Sequence, residues 1–284
     1  MHLTLQSLQP LSAGHELITR LRDRLLFKHF RALNDHAIRI DEVEIDPSSY
    51  AEIQDLCHAV QIDVCLAPAR RLSDFKLVAM DMDSTLITIE CIDEIADMQG
   101  LKPQVAEITE AAMRGEIEFQ ESLIRRVALL KGLDASALER VYEERLQLSL
   151  GAENMLRTVQ QAGLKTLLVS GGFSFFTDRI KTRLTLDYIH ANQLEIVDGK
   201  LTGKVTGVIV DAEEKKRTVE RICAEMGITP QQAIVMGDGA NDLKMMSIAG
   251  LSVAFRAKPV VRQQASIALN FVGLDGVLNV VDVD

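Results

Sequence analysis

The chain is poor in the residues and segments that several large classes of protein require. It has no tryptophan, and aromatic residues make up only 4% of its 284 residues, which disfavours stacking platforms for nucleobases or sugars. Its four cysteines, Cys57, Cys65, Cys91 and Cys223, form no Cys-x-x-Cys pair, which argues against a zinc site and favours reduced thiols. No apolar run approaches the roughly 18 residues that a membrane span requires.

Positive charge is also in deficit, with 31 Lys and Arg against 41 Asp and Glu and a net charge of −10. Nucleic acids and anionic membranes are bound by basic surfaces, so we expect neither partner. The first residues lack the basic and apolar segments of a secretory signal, and with the cysteine pattern this predicts a cytoplasmic protein. A small anionic substrate stays compatible, because a metal ion or a few placed cations reverse the charge locally.

Residues 1–74 are typical of a small α+β unit that precedes the rest of the chain. The polar segment 67–74 contains Pro68 and predicts a domain boundary there. The predicted elements are a strand at 3–6, a helix over 13–27, a strand or hairpin over 37–45, a helix from Ser48 to about Val60 and a strand at 62–66.

Residues 75–284 alternate between apolar, strand-like runs and helical patterns. Such alternation predicts an α/β fold, a Rossmann-like parallel sheet with helices on both faces. The predicted strands are 77–81, 165–169, 233–236 and 251–255, with a β-rich patch over 187–210 that turns at Asp198 and Gly199. The helical stretch over about 90–160 is too long for a simple crossover, so we expect an inserted helical cap at about 88–155.

Two carboxylates follow the first strand of this second unit. Asp81 and Asp83 come after the apolar run 77–80 and are followed by Ser84 and Thr85. Strands of open α/β sheets present ligand-binding groups at their carboxyl ends, and unpaired buried carboxylates are costly unless a metal or a reaction uses them. The spacing alone is also compatible with a solvated Asp-Ser turn.

Three further polar groups lie downstream. Ser170 and Gly171 end the next strand before a helix, which suits an anion but also a simple tight turn. Lys215 lies near a predicted helix start, against the helix dipole, although a solvated charge run is the ordinary explanation. Asp238 and Asp242 follow the strand 233–236 and offer the oxygen ligands that Mg²⁺ prefers, or an Asx turn. Together the four groups favour Mg²⁺-assisted phosphoryl transfer through an aspartyl phosphate.

These four motifs resemble those of the haloacid dehalogenase superfamily of phosphohydrolases, and residues 75–280 are similar throughout to its phosphoserine phosphatase family. The resemblance implies hydrolysis of the small molecule O-phospho-L-serine to serine and phosphate, the last step of serine biosynthesis. It also implies roles for individual residues in the core. Asp81 is the expected nucleophile, Asp83 the acid and base, and Lys215 the balancing charge; Ser170, Gly171 and Asn241 bind substrate or phosphate, and Mg²⁺ is held by Asp81, Asp238 and the backbone carbonyl of Asp83.

The resemblance also assigns substrate selection to the cap. It implies that Glu90 meets the substrate ammonium, that Arg126 pairs with its carboxylate, and that Met113 and Phe119 close the pocket. From the residues alone these assignments are open. Glu90 is equally a helix-start acid, Arg126 part of a solvated face, and the two apolar residues ordinary core.

Residues 1–74 resemble, less specifically, a ferredoxin-like (ACT-like) regulatory unit. That resemblance leaves open serine binding, a homodimer contact and a purely structural role. For the whole chain two other functions remain: an enzyme for another small phosphomonoester or a phosphotransferase, and a non-catalytic amino-acid sensor.

Overall fold

The computed structural model describes residues 1–11, 16–25, 30–113 and 116–283 of the chain. These residues form two β-sheets, one of four strands and one of seven. No helix within the described ranges is both long and apolar enough to cross a membrane.

The four-stranded sheet is antiparallel and belongs to the first part of the chain. Its strands lie in the order β2-β3-β1-β4, which with the element order βαββαβ is a ferredoxin-like arrangement, as predicted. The elements are β1 (His2–Gln6), α1 (Glu16–Leu25), β2 (Arg31–Asn34), β3 (Ala37–Ile40), α2 (Pro47–His58) and β4 (Asp63–Ala67).

Two details of this unit differ from the sequence prediction, and a third element agrees with it as far as the structure describes it. The predicted strand over 37–45 ends at Ile40, and its hairpin partner is β2, whose mostly exposed residues carry no apolar alternation that would reveal a strand. Helix α2 begins at Pro47, one residue before the predicted start, and is capped by Asp46, which accepts hydrogen bonds from the backbone of Ser48 and Ser49. The predicted helix over 13–27 is seen as α1, and its outer residues lie outside the described ranges.

The rest of the chain forms the seven-stranded sheet and the helices around it. Its strands lie in the order β11-β10-β9-β5-β6-β7-β8, and every pair is parallel except β7 with β8. In chain order the elements are β5 (Leu77–Met80), α3 (Cys91–Asp97), α4 (Lys102–Met113), α5 (Phe119–Leu129), α6 (Ser136–Glu144), α7 (Ala152–Gln161), β6 (Lys165–Phe173), α8 (Ser174–Leu184), β7 (Tyr188–Val197), β8 (Lys200–Thr206), α9 (Ala212–Glu225), β9 (Ala233–Gly237), α10 (Leu243–Met246), β10 (Leu251–Phe255), α11 (Pro259–Gln264) and β11 (Ile267–Leu269).

The central strands are buried on both faces. In β5, Val78 and Met80 pack into one apolar cluster and Leu77 and Ala79 into another on the opposite side. This two-sided burial explains why the strand is a continuous apolar run. It confirms the predicted α/β architecture.

The predicted helical stretch over 90–160 is divided into five helices, α3 to α7, in the described residues. Gly100 and Gly132 follow α3 and α5 with positive φ angles of 67° and 84°, a conformation that ends a helix and favours glycine. Four of the helices, α3 to α6, lie between β5 and the helix that leads into β6. They occupy most of the segment that the sequence predicted as a cap, and α3 packs against α4, α5 and α6.

The small sheet packs on the large unit through a polar face. Leu3 and Leu5 of β1 belong to the apolar cluster of α1 and α2. His2, the first residue of β1, instead donates its Nε2 proton to the carbonyl of Val280 at 2.7 Å. Buried Asp63 accepts hydrogen bonds from the backbone of residues 270, 271 and 272 at 2.7, 2.9 and 3.0 Å. The small sheet is therefore covered on one face by α1 and α2 and on the other by residues between 270 and 280.

Candidate active site

The site lies where β5, β6 and β9 end side by side. Strand β5 lies between β6 and β9. The chain builds the sheet outward from β5 on one side and later on the other, and such a switch in direction opens a crevice at the carboxyl ends of the strands. The cavity there has a volume of about 610 Å³. Its walls come from these three strand ends, from helices α3, α4 and α5, and from the starts of α9 and α11.

The turn after β5 carries the two predicted carboxylates. Asp81 is 5% exposed and accepts a hydrogen bond from the backbone N–H of Met82 at 2.7 Å. Ser84 has a φ of 55°, and its backbone N–H donates to the carbonyl of Ile89 at 3.2 Å, which closes the turn. Asp83 in turn accepts the backbone N–H of Cys91, the first residue of α3, at 2.8 Å. The turn therefore holds both side chains in the cavity.

Lys215 lies beneath Asp81 and is completely buried. Its Nζ is 2.8 Å from Oδ1 of Asp81 and 2.7 Å from Oδ1 of Asp242. Burial alone would lower the pKa of Lys215, but Asp242 and Asp81 outweigh this effect and raise the pKa above its usual value. The lysine therefore keeps its positive charge and fixes the position of Asp81.

The acids of the site carry more negative charge than Lys215 balances. Burial and the neighbouring Asp242 raise the pKa of Asp238 to about 7, and the same two causes raise the pKa of Asp81, against the effect of Lys215. Carboxylate oxygens of Asp81, Asp238 and Asp242 lie within 4.8 Å of one another. This set of hard oxygen atoms with uncompensated charge fits a divalent cation such as Mg²⁺.

Asp242 differs from the other two acids because its oxygens are already engaged. Its Oδ1 receives Lys215, and its Oδ2 accepts the backbone N–H groups of Asp238 and Gly239 at 3.2 and 3.1 Å. Thr85, also buried, donates its hydroxyl proton to Oδ1 of Asp238 at 3.2 Å. Asp242 and Thr85 thus shape the loop that presents Asp238.

Ser170, Gly171 and Gly172 form an irregular turn in the last part of β6 and line the cavity. Ser170 Oγ accepts the backbone N–H of Gly172 at 2.8 Å and lies 3.5 Å from Oδ2 of Asp83. A Cβ atom at Gly172 would lie 2.5 Å from that same oxygen, so glycine is required for Asp83 to approach. Burial, and next the charge of Glu90, raise the pKa of Asp83 to about 7.

The cap supplies the opposite wall. Glu90 accepts a hydrogen bond from the Ser84 hydroxyl at 2.6 Å, and burial lowers the pKa of Arg126. The ring of Phe119 lies against Gly171, 3.0 Å from where a Cβ atom would be. Met113 ends α4, and its side chain lies outside what the structure describes.

The structure brings nine of the predicted site residues to one cavity: Asp81, Asp83, Glu90, Phe119, Arg126, Ser170, Gly171, Asp238 and Asn241. Lys215 lies just below them, in contact with Asp81. Sequence reasoning missed the lining residues Asp93, Ser122 and Lys258. Asp93 had a usable signal, because it follows Glu90 by three residues and so lies on the same side of α3.

The arrangement is suited to transfer of an anionic group to a carboxylate. Asp81 is ionisable and fixed by a cation, Asp83 titrates near neutrality beside it, and the Ser170 turn faces both. General acid–base chemistry is most efficient when the pKa of the catalytic group lies near the operating pH.

A family model described as haloacid dehalogenase-like hydrolase matches residues 75–250. Phosphoserine phosphatase from Polaromonas sp. is 57% identical over 219 residues, which cover 75% of this chain and 93% of that protein. The chain therefore belongs to the haloacid dehalogenase-like hydrolases and, among them, to the phosphoserine phosphatase family.

Two solved structures show how far the similarity extends along the chain. A HAD family hydrolase from Salmonella enterica serovar Typhi superposes with a TM-score of 0.86 at 33% identity, covering 98% of this chain and 97% of that one. A substrate-bound phosphoserine phosphatase has a TM-score of 0.69 at 38% identity and covers 73% of this chain and 99% of that one. Because the Salmonella hydrolase matches 98% of this chain, the similarity to it extends over the small N-terminal sheet as well.

Proposed function

We propose that this enzyme hydrolyses O-phospho-L-serine to L-serine and phosphate through a phosphoryl group carried by Asp81. The observation that carries the proposal is the trio of Asp81, Lys215 and Asp83: a buried carboxylate fixed by a lysine at 2.8 Å, beside a second acid of pKa about 7. The membership of this chain in the phosphoserine phosphatase family supports the same chemistry.

Asp81 is the nucleophile in this mechanism. Its free carboxylate oxygen attacks phosphorus, the P–O bond to the serine oxygen breaks, and Asp83 gives that oxygen a proton. Asp83, now ionised, then takes a proton from water, which attacks the aspartyl phosphate and releases inorganic phosphate. A pKa near 7 allows Asp83 to serve in both directions at neutral pH.

The remaining core residues bind the phosphoryl group. Ser170 and Gly171 present a hydroxyl and a backbone amide to its oxygens, and Lys215 stabilises the ionised form of Asp81. Asp81, Asp238 and the carbonyl of Asp83 are the residues that would hold Mg²⁺, with Asn241 and Asp242 alongside. When bound, Mg²⁺ supplies positive charge that offsets the charge of the phosphoryl oxygens.

Glu90 and Arg126 select the substrate in this proposal. They line the same cavity with opposite charges, and phosphoserine carries a carboxylate and an ammonium next to each other. The guanidinium of Arg126 suits the carboxylate, and Glu90 suits the ammonium. Phe119, held against Gly171, closes the cavity against water. The same role for Met113 stays a prediction from the resemblance.

The deciding experiment measures phosphate release from O-phospho-L-serine and from a panel of other small phosphomonoesters, with Mg²⁺ and with EDTA. A strong, Mg²⁺-dependent preference for phosphoserine is the expected result. Mg²⁺-dependent hydrolysis with no preference would contradict the roles of Glu90 and Arg126 and favour another phosphomonoester. Absence of any hydrolysis would favour the amino-acid sensor, and transfer to an added alcohol would identify a phosphotransferase.

We also propose a division at residues 74/75, with a cap over about 88–155 in the second domain. For residues 1–74 the buried polar contacts of His2 and Asp63 with residues 270–282 favour a structural role over serine regulation. Serine, which is also the product and carries the groups that Glu90 and Arg126 bind, should then act on the full-length enzyme only as a competitive inhibitor against phosphoserine. A homodimer, a cytoplasmic location and the lack of nucleic-acid or membrane partners stay predictions from the sequence.

A further inference from the structure

We infer that Asn192 is a positioning residue, which fixes the phosphate-binding turn of Ser170 and Gly171 to the segment that leads into the helix of Lys215. The inference deepens the proposed function and rests on it. Asn192 is in β7, is 1% exposed and does not line the cavity.

Strand β6 bulges beside Asn192. Ser170 pairs with Ala191 of β7 and Phe173 with Asn192, so in the register of these described strands Gly171 and Gly172 face no residue of their own. The Asn192 side chain takes the place of the missing backbone partner: its Nδ2 donates to the carbonyl of Gly171 at 2.7 Å. The shape of the turn therefore depends on a side chain.

The other end of the same amide reaches the entrance of α9. Its Oδ1 accepts the backbone N–H of Val210 at 2.9 Å. The next residue, Asp211, caps α9 by accepting the N–H groups of Glu213 and Glu214 at 3.0 and 2.9 Å, and its carbonyl accepts the N–H of Lys215 at 2.9 Å. One amide thus links the phosphate turn to the first turn of the lysine helix.

The cap rests on the same two segments. Phe119 contacts Gly171, and Gln120 donates its Nε2 proton to Oδ2 of Asp211 at 2.7 Å. Asn192 bonds to Gly171 and to Val210, and so it fixes the separation of the two segments that Phe119 and Gln120 contact. We expect its loss to be felt in phosphate binding and in cap closure, even though it touches no substrate.

The two partners of Asn192 need a donor and an acceptor on separate atoms, and a short amide side chain supplies both. Asn192→Asp keeps the size and the acceptor for Val210 but places an oxygen against the Gly171 carbonyl. Asn192→Leu is similar in size and removes both hydrogen bonds. Each variant leaves buried backbone groups without partners, which is costly.

A matched control exists at the opposite end of the same strands. Thr166 of β6 is buried, and its hydroxyl donates to Asp187, just before β7, at 3.0 Å and accepts the N–H of that residue at 3.1 Å. Thr166→Val removes this connection between the β6 and β7 segments far from the cavity. It should lower the melting temperature and leave phosphate binding unchanged.

The test is calorimetric titration of inorganic phosphate into the Mg²⁺-loaded full-length protein, with melting temperatures and kcat and KM for phosphoserine. We expect both Asn192 variants to bind phosphate at least about tenfold more weakly and to raise KM, the effect of losing one hydrogen bond. Asn192 variants that are folded and bind phosphate as wild type does would overturn the inference, as would an equal loss in Thr166→Val. Because phosphate binding is read separately from turnover, a wild-type protein that binds phosphate without hydrolysing phosphoserine contradicts only the proposed substrate.

Discussion

Replacing Lys215 by methionine should destabilise the protein severely, and in a pH-dependent way. Methionine fills a similar space but leaves Asp81 and Asp242 buried without their cation, which now lies at 2.8 and 2.7 Å. Removing one partner of a buried ion pair typically costs about 3–5 kcal/mol. Since folded proteins are stable by only about 5–15 kcal/mol, we expect a large fraction of the free energy of unfolding to be lost.

The sign of the pH dependence follows from the pKa of Asp81. Lys215 now lowers that pKa, while burial and Asp242 raise it, so removing the lysine moves it further above the value in the unfolded chain. A carboxyl with a raised pKa in the folded state costs nothing below the unfolded pKa, and its cost grows as the pH rises through the folded pKa. The deficit of the variant relative to wild type should therefore be largest at alkaline pH and should shrink as the pH is lowered.

Guanidinium unfolding followed by circular dichroism, in EDTA and at several pH values, measures this difference. Lys216→Met is the matched control. Lys216 is next in the helix but is partly exposed, and its ion pair with Glu220 is long, at 3.7 Å. Its replacement should change stability little. A Lys215→Met protein as stable as this control, or one with a deficit that does not vary with pH, would refute the reasoning about the buried trio.

Three further predictions concern the cap, the pH profile and the interface of the small sheet. Arg126→Ala should reduce kcat/KM for phosphoserine far more than for an aryl phosphate, since only the former has a carboxylate; equal losses would argue against the clamp. Glu90→Gln removes a charge that raises the pKa of Asp83, so with an alkyl phosphate lacking an ammonium group the alkaline limb of kcat/KM should move to lower pH, and an unmoved limb would contradict this. Asp63→Ala leaves three backbone N–H groups unpaired and should cost about 3 kcal/mol or more in urea unfolding, whereas a loss like that of exposed Asp55→Ala would count against the interface.

The parts of the fold that follow from local pattern were predictable. The apolar run 77–80 favoured a buried strand, and the structure confirms it as β5, with the two carboxylates at its carboxyl end. Asp198 and Gly199 were recognised as a turn, and both have positive φ angles between β7 and β8. Strand β2 was missed because Arg31–Asn34 is mostly exposed and has no apolar alternation.

The parts that depend on distant backbone were not predictable. Asn192 works through the carbonyl of Gly171 and the N–H of Val210, and no local sequence pattern records either contact. Lys215 was singled out by its position against the helix dipole, but its complete burial between Asp81 and Asp242 depends on how α9 packs on the sheet. Sequence reasoning located the chemical groups, and tertiary packing sets their distances.

The most direct test of the account is to find the residue that carries the phosphoryl group. Enzyme mixed with O-phospho-L-serine and Mg²⁺ is quenched in acid within the first turnover, digested and analysed by mass spectrometry, in parallel with Asp81→Asn. We predict one added phosphoryl group on the peptide containing Asp81, with neither the adduct nor turnover in a folded Asp81→Asn protein. A phosphoryl group on another residue, or wild-type turnover by Asp81→Asn, would contradict the central claim.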